Sequence, residues 1–510
     1  MGKNETKETG NKREKNAKLN IIISLLCQLL TMICGLITPR YMLRAFGSDA
    51  NGAVTSVTTF LGYIMLLEGG IGGVARAALY KPLADGDNQR ISEVMAEIKR
   101  FFRRVGYVFV PYVIVIAFSF KSISHSASLE WSTSFLLVII ISISTFAQYF
   151  IGISNSVLIN ASQRQYINNA FNVVGIILNT VMVVVLTNRG YDLLSVKLAS
   201  SVVYTVKPIA LWLYVKRHFN IIPIKGQKKN ILKDKWTGLG QHIAYFLHTH
   251  TDVVILTLFG NLAAVSVYGV YNMVTSAIQN ISSSFSAGME AVFGDMYAKN
   301  EKDTLNRTFD LYDTLVSVVS VVLFGTTMVL IIPFVKIYTA EITDANYIEP
   351  VFSILLVCAC LLHCLRSPYH NLVIAAGHFK QTQTAAYGEA LINIVSSILL
   401  VIGFGLSGVA LGTVLATLFR FVYYALYISK KILNRKVMLW FKREAINSIS
   451  IVLIYLSGGI VLQYLNYSDY LSWAIAGIIM FVVSGIITLT LNLLFYRQIC
   501  FSLAKRIIKR

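Results

Sequence analysis

Leu311-Tyr-Asp-Thr-Leu-Val-Ser-Val-Val-Ser-Val-Val-Leu-Phe-Gly-Thr-Thr-Met-Val-Leu-Ile-Ile-Pro-Phe-Val335 carries one charged side chain, Asp313. As a helix this stretch is about 37 Å long, more than the roughly 30 Å of a bilayer's hydrocarbon core. Similar runs recur at Leu19 to Thr38, Gly52 to Ala75, Val105 to Phe120, Ser134 to Leu158, Ala170 to Leu186, Leu193 to Val215, Gly240 to Phe259, Ala263 to Phe285, Val351 to Ala375, Ala385 to Phe404, Gly408 to Ile428, Ile446 to Leu465 and Leu471 to Tyr496. Of the 510 residues 55% are hydrophobic and 14% charged, and mean hydropathy is +0.63. The expected fold is therefore an all-α integral membrane protein of about fourteen transmembrane helices.

A net charge of +20 in a soluble chain suggests nucleic acid, so the positions of the cations decide the matter. With the N-terminus inside, cytoplasmic connections hold about 36 Lys and Arg, whereas the outside ones hold only Arg40, Arg44, Lys121, Arg189 and Lys336. That asymmetry predicts cytoplasmic N- and C-termini and excludes a nucleic-acid partner. The polar start, 1–18, has no signal-peptide hydrophobic region. Six cysteines lack zinc spacing, and neither a metal nor another cofactor is implied.

Self-comparison at an offset of about 213 aligns Leu43–Gly47 with Leu256–Gly260, Ala84 with Ala298, Asn179 with Asn393 and Lys207 with Arg420. Six spans separate the copies, which predicts two parallel six-helix pseudo-repeats. The expected organisation is a cytoplasmic tail 1–18, a bundle 19–217, a basic linker 218–238, a second bundle 239–431, two extra helices within 432–496 and a basic tail 497–510. The connection holding Trp440 is expected on the membrane surface, as is an amphipathic segment marked by Ile91, Val94, Ile98 and Phe101.

The outside connections are short, and no HExxH, GxSxG or Walker motif is present. Both features argue against an enzyme. Polar side chains inside the spans are costly in hydrocarbon and expected to meet water or each other. Gln241, Tyr245, His248 and Asp252 share one helical face; Asn272, Ser276, Gln279, Ser283, Ser286 and Glu290 share another. Asn168, Asn172 and Asn179 form a third stripe, and Ser24, Gln28, Thr31 and Thr38 a fourth. Such stripes fit a hydrophilic cavity, or ordinary bonding between helices.

Lys207 and Arg420 sit roughly 12 Å from the cytoplasmic ends of their helices, and Arg366 lies nearer mid-membrane, among His363 and His370. These cations can hold a phosphate, or pair internally with Glu68, Asp252, Glu290 or Glu389. Glu68 opens Glu-Gly-Gly-Ile-Gly-Gly73, which is expected to bend the second helix, as Pro208 is expected to bend the sixth. The histidines are candidate proton relays or hydrogen-bond partners.

Thr38-Pro-Arg-Tyr-Met-Leu-Arg-Ala-Phe-Gly47, with Leu66-Leu-Glu-Gly-Gly-Ile-Gly-Gly-Val-Ala-Arg76 and Leu79-Tyr-Lys-Pro-Leu-Ala-Asp-Gly-Asp87, resembles the N-terminal region of bacterial Wzx-type polysaccharide flippases. These belong to the multidrug/oligosaccharidyl-lipid/polysaccharide (MOP) superfamily, with a MATE-like fold. The resemblance implies a bacterial cytoplasmic-membrane transporter that flips undecaprenyl-pyrophosphate-linked oligosaccharide by alternating access for cell-surface polysaccharide biosynthesis. It implies membrane lipid as a partner, H+ or Na+ as coupling ion, and contact with polysaccharide polymerase machinery. On this reading Lys207, Arg366, Arg420 and Arg76 are the pyrophosphate candidates. Glu68, His248, Asp252, Gln279, Glu290, His363, His370 and Glu389 are the cavity and coupling candidates. Related lipid II flippases carry arginines in the first helix where Met32 and Thr38 stand here, which disfavours peptidoglycan precursor. An ion-coupled drug or cation antiporter of the same fold and a membrane glycosyltransferase or polymerase are the alternatives.

Overall fold

The computed structural model describes the backbone of residues 3–68, 71–126, 128–222, 224, 239–284, 288–464 and 468–508. Side chains are described for these except 3–14, 17, 239–245, 247, 248, 504 and 506–508. In chain order the helices are α1 (Lys3–Gly62), α2 (Ile71–Asp85), α3 (Asn88–Ser124), α4 (Trp131–Ala147), α5 (Ile153–Ala161), α6 (Gln165–Asn188), α7 (Leu193–His218), α8 (Leu239–Phe259), α9 (Leu262–Ser284), α10 (Met289–Ala298), α11 (Lys302–Tyr338), α12 (Pro350–Ala375), α13 (Phe379–Lys431), α14 (Met438–Tyr464) and α15 (Tyr470–Ile508). A 3₁₀ turn covers Tyr63–Glu68, a π turn covers Gln148–Gly152, and no strand occurs among the described residues.

Ten helical runs are long and apolar enough to span a membrane. Two of them are helix pairs: α1 breaks at Gly47 (φ 78°) and α13 at Gly405 (φ 54°), a left-handed conformation that glycine adopts without steric cost. Counting those breaks, and adding α8 and α9, yields the fourteen helices read from the sequence. An all-helical form is what hydrocarbon demands, because a helix satisfies its own N–H and C=O groups.

Helix ends differ from the apolar runs in three places. The amphipathic segment is continuous with the third span in α3, and Ile91, Val94 and Ile98 are buried. α14 starts at Met438, and Trp440 is only 5% exposed, packed edge-on against Phe421 at 5.3 Å. Trp440 is thus buried rather than on the membrane surface. α9 ends at Ser284 and α10 restarts after Gly288 (φ 83°), so Glu290 leaves the expected α9 face. Near Glu68, helical geometry already tightens to 3₁₀ at Tyr63, whereas α7 runs through Pro208 without a non-helical residue.

The chain divides into two compact units, residues 1–246 with 261–266, and residues 247–260 with 267–510. In the first, Gly52 lies so close to the 261–266 segment that a Cβ there would overlap the Leu262 carbonyl oxygen. Beside it Asn51 Nδ2 donates to Ser266 Oγ at 2.8 Å. At the start of α7, Asp192 caps Leu194 and Ser195; the Ser195 hydroxyl, foremost, holds its carboxyl below the usual range. In the second unit α11 packs against α12, α14 and α15, with 67% of its apolar window buried.

The two arms of α13 are pressed together by glycine. A Cβ on Gly412 would overlap Ser397 Oγ and stand 2.8 Å from Ser397 N. Gly412→Ala should therefore cost about 1–3 kcal/mol through overpacking. A lowered thermal midpoint in detergent checks this, with Gly403→Ala, which meets nothing within 4 Å, as the neutral control.

Candidate functional site

The pairing of the α13 arms sets the geometry of the strongest site. From the Gly405 break outward, Ser397 Oγ donates to the Val409 carbonyl at 3.3 Å and Asn393 Nδ2 donates to Thr413 Oγ1 at 2.9 Å. One helical turn further, Glu389 meets Arg420. Glu389 is fully buried and serves a second cation as well, since Arg366 of α12 donates from Nη1 to Glu389 Oε1 at 2.5 Å. Two guanidiniums thus share one carboxylate.

Each member is oriented further. Arg420 Nη2 donates to Tyr424 OH at 2.9 Å and the guanidinium lies over that ring at 5.1 Å. Arg366 Nη2 donates to His363 Nδ1 at 3.1 Å, which requires that nitrogen to be unprotonated, because a guanidinium has no acceptor. The ring of His370 lies 6.0 Å from that of Tyr424, within 3° of parallel. The buried Nε of Arg420 has no acceptor among the described residues. Two guanidiniums thus stand against the one carboxylate of Glu389, with one donor left over.

One turn along the same seam lies Asp252, 3% exposed. Thr413 Oγ1 is within 2.9 and 3.0 Å of its two carboxylate oxygens, and Tyr268 OH donates to Oδ2 at 3.2 Å. No Lys or Arg pairs with it among the described residues. A buried carboxylate held only by neutral hydroxyl and amide partners can take a proton or a small cation.

In the first unit Lys207 is half-buried, and its Nζ donates to Asn172 Oδ1 at 3.0 Å. That amide continues a polar ladder between α1 and α6, in which Asn172 reaches Cys27, Asn169 Nδ2 donates to Ser24 Oγ at 2.7 Å, and Thr38 meets Thr180 at 3.2 Å. Glu68 accepts from Tyr149 OH at 2.6 Å, where the π turn places Tyr149. Arg76 and Glu290 are exposed, on α2 and α10, and Gln279 is half-buried in α9. The side chains of His248, Gln241 and Tyr245, and residue Ser286, lie outside the described residues.

Within the second unit the structure thus gathers Arg366, Arg420, Glu389, His363 and His370 and places Asp252 one turn away, whereas Glu290 is exposed on α10 and Arg76 belongs to the first unit. Sequence reading missed Tyr424, Tyr268 and Thr413. Tyr424 stands four residues after Arg420, a same-face spacing that pointed to it.

The fold has solved counterparts. A structure described as lipid II flippase MurJ in an inward closed conformation superposes with a TM-score of 0.71 over 94% of this chain and 100% of the other, at 16% identity. The fold is that of MurJ and the MATE transporters. An inward-facing multidrug resistance MATE family transporter of the MOP superfamily gives 0.62 at 17% identity over 80% of this chain and 98% of that one. The MATE multidrug transporter DinF-BH, solved in complex with a ligand, gives 0.59 at 15% identity over 82% and 97%. No family model and no curated sequence matches the chain. The Arg366–Glu389–Arg420 cluster lies within the second unit, between α12 and the two arms of α13.

Removing one partner of a buried ion pair strands the others, typically at about 3–5 kcal/mol. Arg366→Ala and Glu389→Ala should each lower the thermal midpoint strongly. The joint replacement Arg366→Met, Glu389→Leu, Arg420→Met should recover most of the loss, a non-additivity that denaturation of the set would reveal.

Proposed function

We propose that this chain flips undecaprenyl-pyrophosphate-linked oligosaccharide across the bacterial cytoplasmic membrane by alternating access, with both termini cytoplasmic, in cell-surface polysaccharide biosynthesis. The observation that carries the reading is the pair of buried guanidiniums served by one carboxylate. A pyrophosphate brings more negative charge and more acceptor oxygens than Glu389, and Arg presents a planar fork matched to phosphate oxygens. Cargo then competes with Glu389 for Arg366 and Arg420, so an internal ion pair exchanges for a ligand. Lys207, which donates to the neutral Asn172, is the candidate phosphate-binding cation of the first unit. Asp252 is the proposed site of the coupling ion, H+ or Na+. The two halves act as the six-helix bundles read from the sequence, with α14 and α15 an addition.

The reading predicts that Arg420→Lys, which keeps the charge and removes the fork, slows flipping in proteoliposomes by about tenfold or more, the effect of losing a charge-assisted hydrogen bond. The substrate is undecaprenyl-pyrophosphate oligosaccharide, and its accessibility to an external glycan-cleaving enzyme reports translocation. Asp252→Asn should abolish acceleration by an imposed H+ or Na+ gradient while leaving cargo binding intact. Undiminished flipping by a folded Arg420→Lys, Arg366→Lys double variant would sink the anionic-cargo reading. Ethidium efflux by the same preparation would favour the antiporter alternative, for which the buried acid Asp252 is the supporting feature.

A further inference from the structure

The last two helices carry charged side chains that transport as proposed does not use. Between α11, α14, α15 and the connection 432–437 lies a cavity of about 60 Å³ whose polar lining includes Asp310, Asp313, Arg435, Trp440, Arg443 and Tyr496. Both guanidiniums are fixed by α11 carboxylates: Arg435 Nη1 donates to Asp310 Oδ1 at 2.5 Å and Arg443 Nη1 to Asp313 Oδ2 at 2.8 Å. Tyr369 OH also donates to Asp313, at 3.1 Å. Aromatic rings set the guanidinium planes, with Arg435 over Phe309 and Arg443 over Tyr496, each at 4.9 Å. The rotamers of both arginines are thus fixed in advance of any ligand.

Three polar groups on the lining residues remain unused. The buried Arg435 Nε–H, Trp440 Nε1–H and Tyr496 OH have no hydrogen-bond partner among the described residues. A stranded donor is costly, and three such groups on one cavity call for an occupant rich in acceptor oxygens. The local charge agrees in sign: Arg435, Lys436, Lys442, Arg443 and Arg497 stand against Asp310, Asp313 and Glu444 on these segments. Beyond the cavity α14 and α15 expose apolar faces, including Leu456, Ile460, Ile486 and Leu489, so acyl chains can lie alongside. Basic pockets between helices at the headgroup level bind anionic lipids.

We infer that this cavity is a binding site for a phosphate group, delivered by an anionic phospholipid whose chains lie along α14 and α15. Arg435 and Trp440 donate to the phosphate oxygens, while Asp310 and Asp313 hold the guanidiniums in place. The cavity shares no lining residue with the proposed pyrophosphate cluster, and the inference stands whether or not that reading does.

The test uses the full chain purified in detergent and followed by native mass spectrometry. Its probes are dioleoyl phosphatidylglycerol, dioleoylglycerol as the phosphate-free control with the same chains, and inorganic phosphate. The wild type should retain phosphatidylglycerol and not dioleoylglycerol. Trp440→Phe and Arg435→Gln should each cut retention about tenfold, as expected for one lost hydrogen bond to an anion. Trp440→Phe keeps an aromatic ring against Phe421, so it provides a folded protein even where Arg435→Gln does not. A thermal midpoint raised by inorganic phosphate in wild type but not in Trp440→Phe, without selective lipid retention, supports the same phosphate chemistry with a soluble source. Equal lipid retention by wild type and Trp440→Phe, with no difference in their response to phosphate, overturns the inference.

Discussion

Hydrocarbon offers no hydrogen-bond partner, and everything polar in this chain is arranged around that fact. The backbone answers it by being helical throughout the described spans. Side chains answer it by meeting one another, which requires helices to approach closely. The clearest case is α13, where Gly408 and Gly412 let two arms come together so that Asn393 reaches Thr413 and Glu389 reaches Arg420. Close backbone contact and buried charge are the two sides of one packing decision.

The two units solve the problem with different chemistry. In the first, the polar seam between α1 and α6 is built from amides and hydroxyls, and Lys207 ends on the neutral Asn172. In the second, the seam is ionic, with two guanidiniums on Glu389. Lys207 and Arg420 correspond in the sequence duplication, yet their partners differ. Among the described residues the outcome is nevertheless alike: each cluster holds one cation without a carboxylate of its own.

Span number was legible because lipid imposes a long apolar run on every crossing, as in Leu311–Val335, and the structure agrees with that reading. Helix ends were less legible. The polar pattern of α9 continues in phase past Ser284, whereas the structure places Glu290 in a separate helix, α10, that begins after Gly288 with its positive φ. Trp440 and Arg443 sit in a basic stretch that looks like a surface connection. Their burial depends on Phe421 and on Asp313, the latter 130 positions away, and no local pattern reports so distant a partner. Arg366, Arg420 and Glu389 were legible as costly residues in a span. Their meeting was one alternative among several, because pairing is set by rotation of three helices about their axes.

The stoichiometry of the cluster bears on how a buried cation centre can be both stable and usable. A guanidinium with a carboxylate of its own is neutralised, and displacing that carboxylate requires a ligand to replace the whole interaction. An unpaired guanidinium in a span is too costly to persist. One carboxylate between two guanidiniums lies between these limits: each cation is held in position, and the two share a single negative charge. The unpartnered Arg420 Nε marks where the remaining capacity lies. A ligand acts on such a centre only through the difference in its affinity between alternative arrangements. A shared Glu389 makes that difference larger for a multivalent anion, which can satisfy both guanidiniums at once, than for a single carboxylate or a neutral sugar.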